Sequence, residues 1–192
     1  MAGENKKVRF GLKNVHYAVA NNLVESGYDT PVSWPGAVDL VADPIGEDSP
    51  FYADDIVYYS DYANNGYDCQ LEVALIPDDF LKDVLGMTVD NSGVMFEGSE
   101  QTHKEFALLF EFTNDVGATR HLFYRCVPGR PSINGHTKED TVSVQTETLP
   151  FRALPLIDHK HTVKAKLTSA ADTTTYNSWY SAVYPAPVDP LQ

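Results

Sequence analysis

The sequence predicts a mainly β domain: a β-sandwich or barrel of about eight strands, with one short flanking α-helix and one long β-hairpin. Two observations carry this. Runs rich in β-branched and aromatic residues, several of them alternating polar with apolar, recur along the chain and are separated by Gly, Pro and Asn clusters. Only one segment, Pro77–Gly86, combines helical periodicity with matching signals at both ends.

At 192 residues the chain is long enough to bury a real core, and its 43% apolar composition is that of a globular protein. The expected organisation is one domain, 1–192, with an N-terminal segment (1–7) and a Pro-rich C-terminal arm (185–192). No stretch approaches the roughly 20 apolar residues of a membrane helix, and MAGENKKVRF has charges where a signal peptide needs its apolar run.

Taken in order, Val8–Ala20 is short on helix formers and reads as a strand. Ala37–Asp43 alternates, with Val38, Leu40 and Ala42 on one face and Asp39, Val41 and Asp43 on the other. Phe51–Ile76 reads as two extended arms around Asn65-Gly66, a dipeptide that supplies the positive backbone angles of a tight hairpin turn. In the second arm Tyr67, Cys69, Leu71, Val73 and Leu75 share one face; Asp68, Gln70 and Glu72 share the other. A hairpin this long is marginal alone and needs another sheet to complete it.

Pro77–Gly86 is the helix. Asp78 and Asp79 suit its first turn, Phe80, Leu81, Val84 and Leu85 form its apolar stripe, and Gly86 can end it in the left-handed conformation. Phe106–Thr113 and Thr119–Val127 form a second hairpin across 114–117, with Cys126 on the face of Leu122 and Tyr124. Thr141–Leu149 alternates Val142 and Val144 against Ser143, Gln145 and Glu147. Phe151–Leu156 and His161–Leu167 are further strands, and Thr175–Tyr184 is a candidate helix before Pro185-Ala186-Pro187.

Charge is segregated. From Asn14 to Glu100 there are 17 Asp plus Glu against a single base, Lys82, whereas the region after Glu100 balances nine acids with nine bases. The middle of the chain is therefore a poor binder of nucleic acid, whose affinity comes mainly from neutralised phosphates. Cys69 and Cys126 are too few for a disulfide framework and fit buried thiols.

Searching for chemistry finds no phosphate-binding glycine loop, nucleophile elbow, HExxH or zinc-spaced Cys pair. His159 and His161 would share a strand face in the manner of two metal ligands, although an exposed polar stretch explains them as well. Asp54-Asp55 with Asp61 could hold calcium or pair as catalytic carboxylates, but lacks the ligand spacing of a calcium loop. Trp34, Tyr58, Tyr59 and Tyr62 could form a sugar platform, or pack in a core or subunit interface.

The order and spacing of VRFGLKNVHYA, FYADDIVYY, NNGYDCQLEVALIPDDFLKDVLG, FALLFEFTND, HLFYRCV and YNSWYSAVYP resemble the major tail protein family of long flexible-tailed phages and prophages of Gram-positive bacteria. The resemblance runs from about Val8 to Pro187, with Cys69 where the family pattern would place a small residue. It implies a tail-tube fold whose subunits form hexameric rings stacked into a hollow cylinder. It also implies a tape-measure protein in the lumen, tail terminator and distal tail proteins at the ends, DNA passing through without specific binding, and no membrane. The family needs no cofactor and has no catalytic residues. Such a protein would be assembled in the bacterial host cytoplasm and reside in the phage tail.

Combining alternation with this resemblance, Asp68, Gln70 and Glu72, together with Asp39 and Asp43, are expected to face the lumen, and Asn65-Gly66 to form the hairpin turn. The alternative function is a β-sandwich glycan-binding module of a phage baseplate or cell surface, using the tyrosines. A small hydrolase working through paired carboxylates is the third reading.

Overall fold

The computed structural model describes residues 11–22, 27–112, 118–133, 135, 137 and 144–187. In chain order the elements are β1 (Leu12–Asn22), β2 (Gly27–Tyr28), β3 (Val32–Ser33), β4 (Ala37–Pro44), β5 (Asp48–Ala53), β6 (Ile56–Tyr62) and β7 (Tyr67–Val73). There follow α1 (Asp78–Asp83), β8 (Thr88–Val89), β9 (Met95–Phe96), β10 (Phe106–Phe112), β11 (Arg120–Pro128) and β12 (Glu147–Leu154). A 3-10 turn (His159–His161), β13 (Lys164–Leu167) and α2 (Thr173–Ser178) complete the chain. The protein is mainly β, as the sequence predicts, with two short helices, α1 within Pro77–Gly86 and α2 overlapping the candidate at Thr175–Tyr184.

One antiparallel sheet runs β2-β1-β10-β11-β12-β7-β4, with β3 beside β1 and β13 beside β11. It doubles over on itself. Val15, Tyr17 and Val19 of β1 share one core with Cys69, Leu71 and Val73 of β7, Phe106, Leu108 and Phe110 of β10, and Leu149, Phe151 and Ala153 of β12. Helix α1 closes that core. Phe80 meets Tyr17 and Phe106 edge-on at ring-centroid distances of 5.0 and 5.3 Å, and Val84 and Leu85 are buried beside it. Gly86, at φ 76°, turns the chain out of the helix as its sequence position predicts.

A second core lies on the opposite face of β1, β10 and β11. Ala18, Ala107, Leu109, Leu122 and Tyr124 are covered there by Leu156, Trp179 and Ala186. Strand β10 is therefore apolar on both faces, which is why FALLFEF reads as a continuous run. Asp172 caps α2 by accepting a hydrogen bond from the Thr175 amide at 2.7 Å. The helix begins and ends earlier than the Thr175–Tyr184 expected, and Ala186 of the expected arm is packed into this second core.

An ionic network fixes this C-terminal cover. Buried Glu111 accepts from Arg120 Nε at 3.0 Å, Asn14 Nδ2 at 2.7 Å and the Tyr180 hydroxyl at 3.2 Å, and lies 3.2 Å from Lys13 Nζ. Arg120 also sits 3.9 Å from the Tyr176 ring centroid and bonds the Tyr176 carbonyl. Asn14 reaches Glu111 because it adopts φ 52° at a β-bulge opposite β10.

Several sequence expectations are corrected. The hairpin around Asn65-Gly66 does not form: β6 pairs with β5, and the reversal is at Asp54-Asp55, whose φ angles of 52° and 60° are the positive pair a two-residue turn requires. Gly66 instead passes the chain from β6 into β7, which lies between β4 and β12. The pairing continues across the gap, since Ile45 N donates to Gly66 O at 2.9 Å, Asn65 N to Ile45 O at 2.9 Å and Ala63 N to Glu47 O at 3.2 Å. The long hairpin is real, but it spans Ala37–Val73.

Val38 is exposed because a register shift between Ala37 and Asp39 pushes it out, and Leu75 is exposed because β7 has ended at Val73. A bulge opposite Phe106–Leu108 flips the parity of β11, so Cys126 joins Phe123 in the first core instead of Leu122 and Tyr124 in the second. Val144 is 78% exposed and outside any strand; β12 starts at Glu147 and runs through Pro150. The N-terminal segment (1–7), Val8, Thr113–Gly117, Val142 and Ser143 lie outside the described residues.

Two predictions follow from the packing at Gly66 and Glu111. A Cβ at Gly66 would lie 2.1 Å from the Ala153 carbonyl oxygen, on a backbone at φ 105°. Gly66→Ala is expected to lower stability by at least about 2 kcal/mol, or several degrees in Tm, measured by thermal and urea denaturation. An unchanged Tm would show that the chain does not cross Ala153 at this point.

Burial pushes the Glu111 carboxyl up, but its bonds to Lys13, Arg120 and Asn14 outweigh that and hold its pKa below the ordinary glutamate value. A depressed carboxylate stabilises the fold above the unfolded-state pKa and loses that contribution as pH falls through the folded-state pKa. Glu111→Gln should therefore cost about 2–4 kcal/mol at pH 7. The gap between variant and wild type in urea melts should narrow as pH falls below the ordinary glutamate range and through the depressed folded-state pKa. A pH-independent gap would refute the ionic role.

Candidate assembly surfaces

Strands β4, β7 and β12 lie side by side, so their outward residues form rows across the sheet. Asp43 stands opposite Asp68, which stands opposite Arg152; Val41, Gln70 and Pro150 form the next row; Asp39, Glu72 and Thr148 form the third. All five residues expected to face a lumen are thus brought onto one outer face. Asp39, Asp43, Asp68 and Gln70 are exposed and Glu72 is half-buried. Alternation puts them there, because Cys69, Leu71 and Val73 occupy the inward positions between them.

The face is acidic but not uniformly so. Arg152 Nε donates to Asp68 Oδ1 at 2.9 Å, with both side chains more than half exposed, a geometry that contributes about 0–1 kcal/mol. Thr146 Oγ1 donates to Glu72 Oε1 at 2.5 Å. Arg152 offsets one of the four carboxylates in these rows. Val41, Gln70, Pro150 and Arg152 line a shallow depression between the strands.

The second surface is the outer half of the hairpin. Phe51 pairs with Tyr59, Tyr52 with Val57 and Ala53 with Ile56, and consecutive pairs point to opposite faces. Phe51, Tyr52, Ile56, Val57, Tyr58, Tyr59 and Tyr62 are all exposed, Tyr58 by 71%. Both faces are consequently apolar, and no described element covers either. A patch of this kind on a folded domain marks an interaction site.

Asn65 and Gly66 stand at the root of this hairpin. Gly46 is their counterpart on the other arm: a Cβ there would lie 1.9 Å from the Ala63 carbonyl oxygen. The hairpin root and its two-sided apolar tip are features that sequence reasoning missed. The signal that could have found them is the Asp54-Asp55 pair between two aromatic runs, which a stronger Asn-Gly motif nearby overshadowed.

The remaining candidates are dispersed. Asp54 and Asp55 form the tip, while Asp61 sits six residues along β6 from Asp55, about 20 Å away for extended chain. His159 and His161 fall in the 3-10 turn, not on a strand, and His161 Nδ1 lies 2.9 Å from the Leu156 carbonyl oxygen. Among the described residues no three His, Cys, Asp or Glu are grouped to hold a metal. Trp34 is buried, and its indole N–H donates to the Leu75 carbonyl at 3.2 Å. It is thus separated from Tyr58, Tyr59 and Tyr62. No described helix is long and apolar enough to cross a membrane.

No protein-family model matches the chain, and no curated protein matches it. Among solved structures, the chain is similar to the cap that terminates the tube of the anti-feeding prophage, with a TM-score of 0.49 and 6% identity over 88% of this chain and 98% of that one. It is similar to a chain of the extended sheath–tube complex of the PVC extracellular contractile injection system, at 0.46 and 9% over 85% and 95%. A chain of the anti-feeding prophage baseplate matches at 0.42 and 11% over 84% and 95%. Neither family nor function follows from likenesses of this order.

Cys69 and Cys126 are both free and buried. Burial pushes the Cys69 thiol up to about 12 and raises Cys126 as well. The native protein at pH 8 is expected to react with a thiol reagent at well under a tenth of the free-cysteine rate, releasing two equivalents in urea. Prompt native reaction would contradict the packing of β7 and β11.

Proposed function

We propose that this chain is a structural tail-tube subunit of a phage, forming hexameric rings that stack into a hollow cylinder. A tape-measure protein fills the lumen before DNA passes through it, and tail terminator and distal tail proteins bound the ends. The protein is assembled in the bacterial host cytoplasm and works in the virion, without catalysis. The reading rests on the sequence resemblance to major tail proteins. The observation that carries it is the hairpin spanning Ala37–Val73, which outgrows its own domain. Its root offers a polar outer face, and its outer half is apolar on both faces.

These two halves suit different parts of a tube wall. The root rows, Asp39, Asp43, Asp68, Gln70 and Glu72, line the bore. Repeated sixfold, their carboxylates hold a negative potential that repels phosphates instead of gripping them, and transit is then independent of sequence. The outer half carries exposed aromatic and aliphatic side chains on both faces and is buried between neighbouring copies. Covering it closes an otherwise exposed two-stranded ribbon, which is marginal alone. A glycan-binding module fits less well, because the exposed tyrosines are spread over both faces of a ribbon instead of forming one platform.

Negative-stain microscopy of the purified protein tests the reading, with rings or tubes as the expected result. Replacing 48–62 by a tight turn should leave a folded monomer that forms neither. A wild-type protein that stays monomeric at every concentration would overturn the proposal; normal tubes from the shortened chain would instead remove the outer hairpin from the contact between copies. If tubes of Asp68→Lys/Glu72→Lys form in a phage, DNA ejection should be slowed at low salt and recover as the screening length shortens. Ejection unchanged at low salt would remove the lumen assignment while leaving the tube.

A further inference from the structure

The outer hairpin is not only apolar; it is acidic without exception. Residues 45–65 contain Glu47, Asp48, Asp54, Asp55 and Asp61 and no Lys or Arg. All five carboxylates are exposed. A surface that covers it must supply apolar area and positive charge together.

Strand β13 and the turn before it present such a surface. On β13, Ala165 and Leu167 turn inward against the second core, so alternation turns Lys164 and Lys166 outward, and both are exposed. Lys160, in the turn before, and Ile157, 52% exposed, extend the strip, with Asp158 the acid in it. Lys164 Nζ donates to the Tyr67 hydroxyl at 2.6 Å and lies 4.6 Å from that ring's centroid, which holds it beside the root of the hairpin. Among the described strands β13 pairs only with β11, leaving its other edge open to a further strand.

We infer that the strip of Ile157, Lys160, Lys164 and Lys166 is the receptor for the acidic outer hairpin of a second copy of this chain. The inference rests on the self-assembly reading and adds to it the identity of the two surfaces. The extended chain from Ile45 to Asp54 is about 30 Å long, so the hairpin tip stands well away from its own strip. Two different patches on one subunit meet head to tail, a heterologous contact that closes into a ring when the rotation allows. Opposite charge fixes the register, and the paired apolar faces supply the area.

Reciprocal charge reversal tests this. Asp54→Lys/Asp55→Lys makes the hairpin tip basic, and Lys164→Glu/Lys166→Glu makes the strip acidic; thermal melts confirm that both fold. Each variant alone now opposes like charges and should need about tenfold more protein to assemble, read by sedimentation and light scattering at low salt. Mixed one to one, the basic tip of the first meets the acidic strip of the second, and the acidic tip of the second meets the basic strip of the first, so assembly should return as an alternating polymer. If the strip variant does not fold, Lys164→Gln/Lys166→Gln replaces it and should weaken assembly less. Wild type that never assembles would sink both the self-assembly reading and this inference. Wild type that assembles, with either reversed variant assembling equally well or the mixture failing to recover, would overturn the docking surface alone.

Discussion

The close passage of Gly66 over the Ala153 carbonyl is the constraint on which the rest of this architecture depends. An antiparallel ladder can extend past its supporting sheet only if the crossing point keeps its hydrogen bonds and makes room for the backbones. Here Ile45, Asn65 and Gly66 keep the bonds, and two glycines, Gly46 and Gly66, make the room. Inside the crossing, β7 is clamped between β4 and β12 and its parity is fixed by the core. Outside it, among the described strands, β5 and β6 pair only with each other. One hairpin is therefore both a wall of the domain and a projection from it.

Such a projection needs a stiff base, and two-sided burial of β10 supplies it. Phe106, Leu108 and Phe110 commit one face to the core under α1, while Ala107 and Leu109 commit the other to the core under the C-terminal segment. Neither face can yield without exposing a cluster of large side chains to water. The Glu111 network then ties the C-terminal cover to β1 and β11 by charge as well as by packing. The hairpin leaves from β4 and β7, which join the doubly packed strand through β12 and β11.

What was legible in the sequence was what depends on period alone. The stripe Phe80, Val84 and Leu85, the inward set Cys69, Leu71 and Val73, and the outward set Asp68, Gln70 and Glu72 each follow from local alternation or helical spacing, and the fold places them accordingly. What was illegible depends on a partner strand. Bulges at Asn14, at Val38 and in β11 are set by the strand opposite, and each displaces a side chain or reverses the side chains beyond it. Cys126 changed cores for this reason. The hairpin tip was misread because Asn-Gly is the stronger local signal, yet Gly66 is needed for close approach and not for reversal. Asp54 and Asp55 achieve the same positive φ without glycine, since Asp tolerates that region better than most residues.

The segregation of charge along the chain acquires a physical meaning from this geometry. Nine of the 17 acids between Asn14 and Glu100 fall into two groups. Asp39, Asp43, Asp68 and Glu72 share one sheet face, and Glu47, Asp48, Asp54, Asp55 and Asp61 ride on the projecting hairpin. Both groups repel their own kind, which disfavours two hairpins stacking on each other and so acts against the commonest hazard of an exposed apolar ribbon, pairing with its own copy edge to edge. Bases come late in the sequence: Arg152 stands within the first group, paired with Asp68, whereas Lys164 and Lys166 lie apart from both groups on β13. A chain that kept both signs within the hairpin could satisfy its charges internally or with a like hairpin. Separating them leaves each subunit with two unlike patches, and unlike patches direct association toward an ordered, directional contact instead of random clumping.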